Sequence, residues 1–425
     1  MAEFEPRENQ ITADTLVVGG GIAGMTTAIE TAEVGKHVIL LEKTPSLGGR
    51  VVASNQYFPK LCPPTCGMEI NLKRIRINPR VRVLTLADVE KITGGPGEYD
   101  VQITLNPRYV NERCTACGEC ARVCEIERDN DFNYGLDKNK AIYLPHLMAY
   151  PFRYVIDPAF AGDARMKKCV EACAYDAIDL GMQAKTITAK VKAIVWATGW
   201  RPYDATKIDN LGFGKYDNVI TNVMMERLAA ENGPTQGKVV RPSDQKEIAK
   251  IGFVQCAGSR DENHLPYCSA VCCLASMKQA TYVRERYPGA EIHMFYIDVR
   301  SPGRLEDFYV KQQGDAKFFF HRGKVAKITE VAGSKNLILE AENTLTGEIT
   351  KMEVDMAVLA VGMVPNTADA PPPLETPLDD FGFIVPGSEN GVIGAGTAIR
   401  PLDVSATVQD ATGATLRALN LGNRR

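Results

Sequence analysis

The chain has 425 residues, 45% hydrophobic and 24% charged, with 49 Lys and Arg against 52 Asp and Glu for a formal net charge of −3. That length predicts more than one domain, and the composition supports a buried core and excludes disorder. The near balance of charge excludes an electrostatic binder of nucleic acid or anionic membrane, and no apolar run reaches the roughly 18 residues a spanning helix needs.

The opening residues, MAEFEPRENQ, are acidic and polar and lack the basic and apolar regions of a secretory signal. The expected location is cytoplasmic. From residue 14 the pattern becomes regular. DTLVVG reads as a strand, GGIAGMTTAIETAEVG as a glycine turn opening a helix, and HVILLEK as a second strand. Within this βαβ unit Gly19, Gly21, Ile22, Ala23 and Gly24 fit G-x-G-x-x-G. The first glycine permits the tight turn, the second a close approach of backbone to a pyrophosphate, and the third close helix–sheet packing. Glu42, followed by Lys43, ends the second strand, where a carboxylate can accept from ribose hydroxyls. Gly48, Gly49 and Arg50 follow, as in many FAD proteins, so FAD is expected rather than NAD. A tight turn without a ligand is the bland alternative.

The twelve cysteines fall into four groups, which points to metal ligation or redox chemistry rather than packing. Cys62 and Cys66, in CPPTC, come first. They are open to three readings: a redox dithiol, ligands shared with a partner protein, or incidental structural thiols. Residues 81–105 alternate like an antiparallel meander, and a related strand, TITAKVKAIVWATGW, returns only at 186–200. The intervening residues 107–185 read as an inserted module holding six of the cysteines.

In that module Cys114, Cys117, Cys120 and Cys124 have the C-x2-C-x2-C-x3-C spacing of a bacterial ferredoxin run, whose fourth cysteine usually serves the other cluster. Cys173, in CAYDAI, is therefore the expected fourth ligand to Cys114, Cys117 and Cys120 in a [4Fe–4S] cluster. A structural zinc site is the alternative. A second cluster is not expected here, because Asp163 and Met166 stand where its ligands would be, leaving Cys124 and Cys169 over.

Ala197, Thr198 and Gly199 resemble the ATG strand end of FAD proteins. A second βαβ unit follows, with IGFVQ as strand, SAVCCLASMKQATYVRERY as helix and EIHMFYIDV as strand. It has no G-x-G-x-x-G. Cys256, Cys268, Cys272 and Cys273 stand where nucleotide-binding glycines would, which predicts a second [4Fe–4S] cluster in place of a nicotinamide site. His264, between them, reads as a surface residue. FFFHRGKVAKITEV, KNLILEAE and GEITKMEVDMAVLAVG repeat the meander, and the proline-rich 366–378 reads as a loop. Gly394, Ala395, Gly396 and Thr397 occupy the place of the late FAD motif, with Thr397 where an acid usually meets the ribityl chain.

The expected architecture is α/β, with two dinucleotide-binding domains and an insert. Residues 1–106, 186–204 and 370–425 form the FAD-binding domain, 107–185 a ferredoxin-like iron–sulfur module, and 205–369 the second βαβ domain. The order of FAD fingerprint, ferredoxin insert, ATG strand and C-x11-C-x3-C-C resembles the A-type subunits of the heterodisulfide reductase family. FNYGL (132–136) and KAIY (140–143) are further family-like segments. Within that family the likeness is greatest to the A-type subunit of the quinone-interacting membrane-bound oxidoreductase of sulfate reducers. The resemblance implies a thioredoxin-reductase-like core, FAD, iron–sulfur clusters and partner subunits. The implied partners are a quinone-reactive membrane subunit, together with a second flavin/iron–sulfur subunit. Adenylylsulfate reductase is the implied electron acceptor, and the implied place is peripheral at the inner membrane. Two alternatives stand beside it: an electron-bifurcating subunit of the heterodisulfide reductase type, and a self-contained NAD(P)H-dependent disulfide reductase using Cys62 and Cys66.

Overall fold

The computed structural model describes residues 9–387 and 391–422. The parts of the expected domains at 1–8, 388–390 and 423–425 lie outside the described residues. Eight helices are used as landmarks: α1 (Ile22–Glu33), α2 (Thr65–Ile77), α3 (Glu119–Val123), α4 (Met166–Glu171), α5 (Asn222–Ala229), α6 (Cys272–Arg286), α7 (Glu306–Gln313) and α8 (Val404–Gly422).

The first layer is a five-stranded parallel sheet, in the order Val392–Gly394, Ala193–Trp196, Thr15–Val18, Val38–Glu42, Val81–Thr85. Successive strand residues point to opposite faces, and both faces are apolar. Val17, Leu40 and Val195 pack under α1 and α8. Leu16, Ile39 and Ile194 pack against Tyr99, Val101, Ile103 and Ile187 of a second, four-stranded sheet.

The strand expected at 186–200 is two strands in different sheets. Lys185–Val191 pairs antiparallel with Glu98–Leu105, while Ala193–Trp196 joins the parallel sheet. The break falls at Lys192, an exposed residue whose N–H donates to Asp14 O at 3.0 Å. Val81–Thr85 likewise belongs to the parallel sheet rather than to the meander, pairing with Val38–Glu42. Local patterning cannot separate these cases, because it does not say which sheet a strand joins.

Leu105 and Lys185 are cross-strand partners, so the residues between them leave and rejoin the meander at one point. The excursion has its own small core of Val110, Ile126, Ala141, Ile142, Ile156, Met166 and Ile178.

The second unit is a seven-stranded sheet in the order Val219–Thr221, Met356–Val361, Lys250–Ala257, Glu291–Tyr296, Phe318–Glu330, Leu337–Asn343, Ile349–Val354. Its first five strands are parallel and its last two antiparallel. Helices α5 and α6 cover one face. Among the described residues, no helix is long and apolar enough to cross a membrane.

Candidate functional site

The glycine turn lies where the strand Thr15–Val18 runs into α1. Gly19 has φ +110°, and a Cβ there would meet Ala197 O at 2.3 Å. A Cβ on Gly24 would meet Gly19 O at 1.8 Å, so the helix seats directly on the turn. A Cβ on Gly49 would fall 2.8 Å from Gly21 Cα, so the two glycine segments touch. Glu42 is buried and accepts from Gly20 N (2.6 Å) and Thr44 N (2.8 Å). Burial raises its pKa against those hydrogen bonds.

Gly199 has φ +74°, and its Cβ position lies 3.8 Å from Thr397 Oγ1. A Cβ on Gly396 would reach Ala23 Cβ at 2.9 Å. The early fingerprint, Glu42, the 48–50 turn, the ATG end and the late motif therefore meet at the carboxyl ends of the parallel strands. Thr198 Oγ1 is buried there with no hydrogen-bond partner. A backbone cradle kept clear of side chains and an unpaired buried hydroxyl fit a dinucleotide at this edge.

Two expected residues behave differently. Lys43 faces outward, 3.4 Å from Asp88 Oδ1, with most of its side chain exposed. Arg50 donates from Nε to Trp200 O (2.5 Å) and from Nη1 to Tyr134 Oη (3.0 Å), joining the flavin domain to the insert. Sequence reasoning missed Asp410 on α8, which accepts from Gly396 N at 2.6 Å, and Asn366, which donates to Thr198 O at 2.7 Å. The acid absent at residue 397 was the signal for the first. Nothing local marked the second.

In the insert Cys114, Cys117, Cys120 and Cys173 line one cavity with Tyr154, Val110 and Ile178. Positive φ at Ala116 and Gly118 curls the backbone around it. Ala116 N lies 3.4 Å from Cys114 Sγ and Ala177 N 3.3 Å from Cys173 Sγ, so backbone N–H groups point at sulfur. Burial and the neighbouring thiols push Cys120 up to about 12. Thiols gathered around one hollow suit a cationic core that deprotonates them. Among the described residues no three His, Cys, Asp or Glu side chains form a group suited to one metal ion. Met166 is fully buried and Asp163 is bound to Arg165 at 2.7 Å, so neither faces this cavity. Cys124 and Cys169 are buried, and Cys124 Sγ donates to Ile126 O at 3.6 Å.

In the second domain Cys256 closes the strand Lys250–Ala257 in a left-handed conformation, φ +56°. Cys272 and Cys273 open α6. Cys268 lies in the loop before it, with Ala270 N 3.4 Å from its Sγ. All four act electrostatically on one another, and burial pushes Cys256 up to about 11. The group occupies the carboxyl end of a parallel strand at a helix N-terminus, the usual seat of a nucleotide pyrophosphate. Gln255, next to Cys256, is 2% exposed with both amide atoms unpartnered. These orphaned donors and acceptors fit a buried polar or ionic group at the thiols. His264 is half-buried rather than on the surface, its Nδ1 2.8 Å from Tyr203 Oη.

Cys62 and Cys66 stand apart from both groups, at the start of α2.

The profile of an FAD binding domain matches residues 14–56. The chain is 40% identical over 98% of its length to an A-type iron–sulfur subunit of the CoB–CoM heterodisulfide reductase of Methanopyrus kandleri, and 37% identical over 95% to its counterpart in Methanocaldococcus jannaschii. It spans just under two thirds of these relatives, 66% and 64%. Among solved structures, the thioredoxin reductase of T. acidophilum superimposes over 96% of this chain and 98% of its own, at 14% identity and a TM-score of 0.52. That likeness establishes the thioredoxin-reductase-like fold.

Proposed function

Because homologues of this chain at 35–40% identity over most of its length are A-type subunits of heterodisulfide reductases, we propose that it is the FAD- and iron–sulfur-bearing electron-transfer subunit of a multi-subunit oxidoreductase. One observation carries the reading. Where the second βαβ unit would bind a pyridine nucleotide, four cysteines gather at the end of Lys250–Ala257 and the start of α6.

When bound, a flavin exchanges electrons in pairs or singly, and each [4Fe–4S] cluster exchanges one. Gly19, Gly21, Ile22, Ala23, Gly24, Glu42, Gly49, Arg50, Ala197, Thr198, Gly199, Gly396 and Thr397 would hold the FAD. Cys114, Cys117, Cys120 and Cys173 would ligate one cluster, and Cys256, Cys268, Cys272 and Cys273 the other. The chain's own part is to fix spacing and environment. Glu42 braces the turn through Gly20 and Thr44. Backbone N–H groups of Ala116, Ala177 and Ala270 stabilise negative charge on sulfur. Apolar burial around Cys120 and Cys273 excludes water.

The finer assignment rests on the resemblance. Electrons would pass between a quinone-linked membrane partner and adenylylsulfate reductase, with the chain held at the membrane by other subunits. The test is anaerobic purification of the full chain with iron and flavin assay. The expected result is about eight irons and one FAD per chain. A colourless, iron-free protein, or rapid bleaching of its flavin by NADH or NADPH, would overturn the reading.

A further inference from the structure

In the seven-stranded sheet Lys250–Ala257 runs between Met356–Val361 and Glu291–Tyr296. Helix α6 starts over the carboxyl ends of these strands, and its first two cysteines reach to either side of the central one. Cys272 Sγ donates to Val361 O at 3.8 Å, and Val361 is the ladder partner of Ala257. Cys273 Sγ donates at 3.8 Å to Asp298 O, just past the end of Glu291–Tyr296. Gln255 stands on the strand between them. Val254 packs away from α6, with Val325 and Leu339, whereas Ile251 and Phe253 share a core with Cys273 and Met277. Side chains alternate along a strand, so Gln255 turns to the α6 face, under the first turn of the helix. Ser276 follows Cys272 and Cys273 by four and three residues, which sets it one turn along the same side of α6. Gln255 is 2% and Ser276 1% exposed, and neither the amide atoms of the one nor the hydroxyl of the other has a hydrogen-bond partner among the described residues.

From this placement we infer that Gln255 and Ser276 set the reduction potential of the second cluster, donating from Nε2 and Oγ to its sulfur. The inference rests on the reading that Cys256, Cys268, Cys272 and Cys273 hold a [4Fe–4S] group. Buried donors without acceptors are rare, and each calls for a partner at its site. Thiolate and sulfide sulfurs are acceptors that carry negative charge, and a donor aimed at them is a charge-assisted one. Reduction adds one electron to the cluster. A donor fixed against sulfur stabilises that added charge, so both residues make the cluster easier to reduce. Oε1 of Gln255 stays an acceptor without a donor, which buried chains tolerate better than an idle N–H.

The test is a redox titration of the full-length chain, purified anaerobically, with each cluster followed by its electron paramagnetic resonance signal. The signal lost in Cys272→Ser, together with about half the iron, marks the second cluster. The other cluster is the internal reference. Gln255→Leu keeps the volume and loses the donor. Its second cluster should become about tenfold harder to reduce, a fall of about 59 mV for one electron, at unchanged iron content. Ser276→Ala should shift the potential in the same direction, and Ser276→Thr, which keeps the hydroxyl, should restore it. The first cluster should not move in any of these variants. An unshifted second potential in iron-replete Gln255→Leu and Ser276→Ala, or equal shifts of both clusters, would overturn the inference and leave the cluster reading standing. Iron content that Cys272→Ser does not lower would remove the cluster reading, and this inference with it.

Discussion

Gly24 has the tightest surroundings of any residue in the dinucleotide turn, with Gly19 O only 1.8 Å from where a Cβ would be. Gly24→Ala must push α1 off the turn, at about 1–3 kcal/mol, and the purified protein should lose its yellow flavin colour. Retained flavin at wild-type stoichiometry would count against this turn as the cofactor seat. Histidines give a second test at this scale. Burial, with charge from His321 and Lys250, holds His293 down at about 4, and burial does the same to His146. An unfolded imidazole titrates near 6.5. Between those values the unfolded chain takes up protons that the native one refuses. Their contribution is therefore intact above about pH 6.5 and is lost as the pH falls towards 4. Thermal melts from about pH 7 to 5 should show this decline, and His293→Phe, which keeps an aromatic ring against Phe319, should make it shallower. A variant melting curve parallel to the wild type across that range would refute the assignment.

At the level of elements, the two cysteine groups around α3 and α4 make opposite predictions. Cys173 borders the cavity shared with Cys114, Cys117 and Cys120, whereas Cys169 packs inside the core against Cys124. Cys173→Ser should remove about half the iron of the purified chain. Cys169→Ser should leave iron unchanged, and equal losses would merge the two groups. The spacing of these cysteines was legible in the sequence because ligands to one cluster crowd into short runs. The βαβ units were legible for a similar reason: a glycine turn, a helical period and a strand period follow one another locally. Long-range pairing was not. That Gln10–Thr12 lies beside Lys185–Val191, or that Asn366 reaches Thr198 O, is decided by packing between segments whose own patterns say nothing of each other. The same holds for the strand expected at 186–200, where one exposed Lys192 divides two sheets.

Across the whole molecule, three units meet at α5. Glu226 accepts from Asn55 N (3.0 Å) and Gln279 Nε2 (2.7 Å) and pairs with Lys278 at 2.8 Å. The adjacent Arg227, fully buried, donates to Ala53 O (3.2 Å) and Asn133 Oδ1 (2.8 Å), its guanidinium 4.5 Å from the centre of the Phe132 ring. One short helix thus grips the flavin domain and the insert together. Arg227→Met strands those acceptors and should cost about 2–4 kcal/mol. It should also speed hydrogen exchange in residues 107–185 more than in the five-stranded sheet, and uniform acceleration would speak against a local clamp. The insert's attachment has a consequence for how such a chain could be assembled or dismantled. Because Leu105 faces Lys185 across the meander, a tight hairpin could replace everything between them without disturbing the register of either strand. The excised form would nonetheless inherit an arginine shaped for a neighbour no longer there. Modularity here belongs to the hinge of the graft and not to its flank, so trimming the segment calls for a new polar partner for Arg227, which keeps its bonds to Ala53 O and Asn232, in the same step.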